Sequence, residues 1–184
     1  NGYNVAVGHL AGNAVSTGVE NTIIGGLAGD ALTAGGYNVA VGFRALSTED
    51  AHGYNVAIGY QALTTLDAGA NAYNVAVGFN AGQLVTTGVQ NILIGGLTGD
   101  AVTTGAYNTA VGHGALTAED TGTRNTAFGY AALETLNYDG SGQNTAIGFN
   151  AGAAINSGVK NTILIVLCLS IIVLLLRDPT KLTE

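Results

Sequence analysis

The chain of 184 residues lacks most of what catalysis, disulfide bonding or nucleic-acid binding draws on. Its single cysteine, Cys168, permits no internal disulfide and no cysteine-built metal site, and says nothing about compartment. There is one proline, Pro179, and no tryptophan or methionine. Charged residues make up only 9%, and the net charge is −7. Within residues 1–160 the basic side chains are Arg44, Arg124 and Lys160, against ten acids. Such a surface cannot neutralise a row of phosphates, which excludes nucleic acid as a partner. Low charge with 29 glycines would fit a disordered chain, but 47% hydrophobic residues supply a core. Glycine does not recur at every third position, which excludes collagen. The chain starts at Asn1 with no signal-like segment, which reads as a fragment or a processed product.

What is present is a repeat. The string Asn4-Val5-Ala6-Val7-Gly8 returns with small changes, opening at Asn4, Asn21, Asn38, Asn55, Asn74, Asn91, Asn108, Asn125, Asn144 and Asn161. The spacings are 17, 17, 17, 19, 17, 17, 17, 19 and 17, so four short repeats make a 70-residue block. A fixed period near 20 residues is the mark of a solenoid. The expected fold is all-β: a parallel β-solenoid or β-roll of about ten rungs of 17–19 residues over 1–164, then a non-repeat hydrophobic segment over 165–184. Each rung reads as strand, turn, strand, turn, with a second short strand near Ala14 to Ser16.

The slots of the motif have separate expected roles. Alternation sets Val5 and Val7 on one face and Asn4 and Ala6 on the other. A coil this small should exclude large side chains, so alanine in the third slot (Ala6, Ala40, Ala57, Ala76, Ala110, Ala127, Ala146) is expected inside. Glycine in the fifth (Gly8, Gly25, Gly42, Gly59, Gly78, Gly95, Gly112, Gly129, Gly148) suits a corner where φ is positive. The asparagines are expected to stack as a ladder, amide on amide. Aromatic residues follow the glycine (Phe43, Tyr60, Phe79, Tyr130, Phe149) and precede the asparagine (Tyr3, Tyr37, Tyr54, Tyr73, Tyr107). Two such rows on a thin rod predict packing between chains.

After Asn161 the pattern stops, with Ile165 where glycine should stand. Ile163 to Leu176 is apolar except for Ser170, shorter than the roughly 18 residues of a spanning helix. A buried cap, a non-native tail and a membrane anchor all remain open for this segment.

No catalytic or cofactor-binding residues and no metal ligands are assigned. His9 and His113 occupy the aromatic slot and read as packing; His52 reads as a turn residue without a partner. Asp30 and Asp100, in Gly-Gly-Leu-x-Gly-Asp, resemble calcium β-roll turns, but those need an aspartate in nearly every rung. Glu49-Asp50 and Glu119-Asp120 are adjacent carboxylates, read as solvated turns rather than the opposed pair of a glycosidase. The pairs Thr64-Thr65, Thr86-Thr87 and Thr103-Thr104 do not recur on every rung, as an ice-binding array requires.

The strings Asn125-Thr-Ala-Phe-Gly-Tyr-Ala-Ala-Leu and Asn55-Val-Ala-Ile-Gly-Tyr-Gln-Ala-Leu resemble repeats of phage tail-fibre proteins. They are also similar to the shorter head repeats of trimeric autotransporter adhesins. The resemblance covers about residues 1–164, and the likeness to adhesin heads implies a left-handed parallel β-roll, one rung per repeat, with three chains side by side. It further implies an extracellular fibre that attaches to a host-surface receptor or glycan. The leading expectation is a non-enzymatic structural segment of a phage tail fibre. A bacterial adhesin head is the alternative, and an ice- or calcium-binding solenoid stands third.

Overall fold

A computed structural model describes residues 2–165. Ten three-residue strands form one sheet: β1 (Val5–Val7), β2 (Thr22–Ile24), β3 (Val39–Val41), β4 (Val56–Ile58), β5 (Val75–Val77), β6 (Ile92–Ile94), β7 (Thr109–Val111), β8 (Thr126–Phe128), β9 (Thr145–Ile147) and β10 (Thr162–Leu164). All pairings are parallel and follow chain order. The protein is a parallel β-solenoid with one strand per coil. At 4.7–4.9 Å per step the stack is roughly 45 Å long. Val39 pairs with Val56 and Val56 with Val75, so a 17-residue and a 19-residue step keep the same register. The two extra residues are absorbed in the loop.

Among the described residues the expected second strand of each coil is absent. Residues 10–14 form turns, with φ of 56° at Leu10 and 60° at Gly12. Left-handed residues so closely spaced bend the chain before an extended run can form. Bonding along the rod continues there regardless, as the Ser16 N–H donates to Thr33 O at 2.9 Å.

The interior corrects a second expectation. The third-slot residues Ala40, Ala57, Ala76, Ala110, Ala127 and Ala146 are fully buried, but so are Ile23 and Leu93 in the same column. Leu46, Leu63, Leu116 and Leu133 are buried in the ninth slot. Ala6, on the end coil, is exposed. The coil holds large side chains because volume is shared between rungs. Where the ninth slot is glycine, a neighbour's bulk fills the space. A Cβ on Gly82 would lie 2.8 Å from Leu93 Cδ1 and 3.0 Å from Leu63 Cδ2. One on Gly152 would lie 2.9 Å from both Ile163 Cδ1 and Leu133 Cδ2. Interiors pack at crystal-like density, so a large third-slot residue (Ile23, Leu93) goes with glycine in the ninth slot of its own rung (Gly29, Gly99), and the leucines of the ninth slot go with alanine in the third.

Two further columns turn the chain, beside the left-handed seventh and ninth slots that include Leu10 and Gly12. The fifth-slot glycines have φ between 126° and 142°, and each stacks directly on the next. A Cβ on Gly8 would sit 2.6 Å from Gly25 O, so both torsion and space demand glycine. The residue before each asparagine is left-handed too, including Tyr37 (φ 62°), Tyr54 (64°) and Tyr107 (61°). This conformation costs L-residues about 1–2 kcal/mol each. Hydrogen bonds along the rod help hold it, such as Tyr37 N–H to Val19 O at 2.9 Å. At the far end Ile165 replaces glycine yet still donates its N–H to Ile147 O at 2.9 Å. The rest of the apolar segment, with the cap, tail and anchor readings, lies outside the described residues. Among the described residues no helix is long and apolar enough to cross a membrane.

Candidate functional site

Strand alternation points the middle residue of each strand inward and the two flanking residues outward. The outward residues are almost all Val, Ile or Thr, with Phe128 among them. Ile24, Ile58, Ile92, Ile94, Phe128 and Ile147 are exposed. An aromatic row borders each side of this face. Before the asparagines, Tyr37, Tyr54 and Tyr73 stack with centroids 4.9 and 5.0 Å apart. After the glycines, Phe43, Tyr60 and Phe79 stack at 5.6 and 5.3 Å, and His113, Tyr130 and Phe149 at 5.7 and 5.1 Å. The expected rows thus exist, and His113 behaves as an aromatic member of one. Gln90 interrupts the tyrosine row and leaves a shallow depression lined by Tyr73, Val75, Gln90 and Ile92.

Behind this face runs the asparagine ladder, from Asn21 to Asn144 essentially inaccessible to solvent. Its chemistry differs from amide-on-amide stacking. Each side-chain oxygen accepts the backbone N–H of the next asparagine, as in Asn38 N–H to Asn21 Oδ1 at 2.9 Å and Asn91 N–H to Asn74 Oδ1 at 2.9 Å. The amide nitrogen usually donates to a carbonyl in the same coil, as from Asn74 to Gly88 O at 2.8 Å. Direct amide–amide bonds supplement this at some steps, such as Asn161 Nδ2 to Asn144 Oδ1 at 2.9 Å. A buried asparagine with both ends satisfied fixes the register that an apolar residue would leave free.

The acidic turns overturn an expectation. Glu49 and Glu119 are not solvated; both side chains are fully buried. They occupy the twelfth slot, which in other rungs holds Val15, Leu32, Leu66, Val85, Val102, Leu136 and Ile155. Each carboxylate satisfies two backbone donors. Glu119 Oε1 accepts from Gly122 N at 2.7 Å and Oε2 from Tyr138 N at 3.4 Å. Glu49 repeats this with His52 N at 3.0 Å and Ala68 N at 3.2 Å. Ala68 and Tyr138 belong to the longer loops, so each glutamate holds the enlarged loop of the next rung. Burial raises the Glu119 carboxyl above the ordinary glutamate value of 4.5, only partly offset by bonds from Gly122 and Tyr138.

His52 also departs from expectation, because its Nδ1 lies 3.2 Å from Glu49 Oε1. Asp30 and Asp100 each keep one buried oxygen without a hydrogen-bond partner. Burial raises the Asp100 carboxyl, against bonds from its own and the Ala101 backbone and the pull of His113. The threonine hydroxyls are committed along the rod: Thr65 Oγ1 donates to Gln83 O at 2.8 Å, Thr86 to Thr103 O at 3.2 Å and Thr103 to Asp120 O at 3.1 Å.

No protein-family model matches the sequence, and neither a curated protein nor a solved structure does. The fold therefore defines the class as a β-solenoid, and the fibre resemblance rests on the motif alone.

Proposed function

We propose that the chain is a structural segment of an extracellular fibre, most closely a phage tail fibre, that carries its particle to a host-surface receptor or glycan. The observation that supports this reading is the outward sheet face. It presents Ile, Val and Phe side chains along the rod, edged by stacked aromatics. Monomers rarely expose contiguous apolar patches beyond about 300–600 Å². Ten strands in one sheet make this face continuous along the rod, and the aromatic rows widen it. Three left-handed rods side by side, sheet faces toward a common axis, would bury it and leave the turns outside for the receptor.

Sedimentation equilibrium tests the assembly: a trimer is expected, and a stable monomer at micromolar concentration overturns it. The adjoining coding sequence separates the fibre from the adhesin alternative. An intramolecular chaperone domain downstream supports a phage fibre, whereas a heptad stalk followed by barrel strands assigns the segment to a bacterial adhesin head.

A further inference from the structure

We propose that the turns following β3 and β4 form a zinc(II) site built from Glu49, Asp50, His52 and Asp67. One ligand atom from each of these side chains lies within 4.8 Å of every other. Glu49 is buried and fixed; Asp50 and Asp67 are exposed, and Asp67 comes from the next rung. His52 Nδ1 and Glu49 Oε1 stand 3.2 Å apart, a hydrogen-bond distance that is also close to the edge of a zinc tetrahedron, about 3.3 Å for bonds of about 2.0–2.1 Å, so a bound zinc would replace that hydrogen bond. One imidazole with three carboxylates suits zinc, whereas calcium and magnesium take oxygen donors. Three acids against one histidine, in a chain of net charge −7, also leave negative charge that a dication offsets.

The chain contains its own control. Seventy residues on, the pair Glu119-Asp120 recurs with the same buried carboxylate and the same two backbone bonds, but Gly122 and Asn137 stand in place of His52 and Asp67. The acidic pair alone is therefore part of the rod, and the proposal does not rest on it. The fold needs neither His52 nor Asp67. Yet two ligand-type side chains occur together, on different rungs, at positions that meet only in space. Zinc there would tie one coil to the next.

The test uses the untagged chain and zinc chloride. Calorimetry should find one zinc per chain, and added zinc should raise the melting temperature to a plateau. The double variant His52→Gly, Asp67→Asn carries the residues of the second turn, so the backbone should accept them. Its zinc affinity should fall by more than the roughly 100-fold typical of losing an outer-shell partner. Zinc uptake undiminished in the variant, no uptake by the parent, or equal stabilisation by calcium chloride would each overturn the site. If the variant does not fold, cobalt(II) decides: visible absorption bands removed by zinc support the site, and a featureless spectrum overturns it.

Discussion

The turn at Glu49 and the turn at Glu119 occupy the same place in successive 70-residue blocks, and they differ in what surrounds an identical carboxylate. At Glu119 the third residue on is glycine, and a Cβ there would lie 2.5 Å from both carboxylate oxygens. At Glu49 the corresponding residue is His52, whose imidazole faces the carboxylate. The shared part is what the rod requires: a buried acceptor for two backbone donors that the enlarged loop displaces from the regular ladder. The variable part is the outer wall of the turn, where one block admits a side chain and the other excludes it.

The largest effect should fall on what the blocks share. Gly59→Val and its counterpart Gly129→Val would each drive a side chain into the stacked carbonyl of the next corner, Gly78 or Gly148. Strain and overpacking together should cost about 3–5 kcal/mol in either block and shorten the ordered rod. Thermal melting and hydrogen exchange read this, and an unchanged melting curve would remove the corner assignment. Next come Glu49→Ala and Glu119→Ala. Each leaves two interior N–H groups unpaired beside a cavity, an expected loss of about 2–4 kcal/mol. Denaturant titration measures it, and losses under about 0.5 kcal/mol would return the carboxylates to the surface.

Exchanging the third residue sharpens the contrast, because the swap should be asymmetric. Gly122→His has to displace the Glu119 carboxylate and should cost about 1–3 kcal/mol. The reverse, His52→Gly, should cost under about 1 kcal/mol in metal-free buffer. Equal costs would mean that the two turns do not differ in the way described. The smallest effect is a pH dependence. Burial raises the folded-state Glu119 carboxyl above 4.5, so the folded state holds that proton more tightly than the unfolded chain. Its contribution is present in full below the unfolded value and is lost as pH rises through the folded one. Glu119→Gln should flatten this part of the melting-temperature profile above pH 4.5, and an unaltered profile would show that Glu119 does not contribute to it.

The strand, corner and ladder slots were legible because each repeats the same residue type at the same place. Asn38, Ala40 and Gly42 need only one pattern to be read. Glu49 was misread for the opposite reason: next to Asp50 it has the local composition of a surface turn. Its signal lay across rungs, where the same slot carries Leu32 before it and Leu66 after it. The large core residues hid similarly, since the room for Leu93 comes from Gly82 on the preceding coil. The left-handed tyrosines had no local signal, because intrinsic preference disfavours that conformation and the neighbouring rungs impose it. His52 could not be placed from sequence either, since its partner is set by the burial of Glu49.

One strand per coil has a mechanical consequence. Successive rungs are joined end to end by the backbone, so a pull on the two termini peels coils from the ends instead of shearing the whole sheet. An extended residue spans about 3.3–3.6 Å, so a 17-residue coil releases close to 60 Å of contour while giving up one step of the stack. The rod would lengthen in nearly equal steps, with a slightly larger one wherever a 19-residue coil opens. A stretched segment of this kind would act as a series of extensible links, each able to absorb load before the next yields.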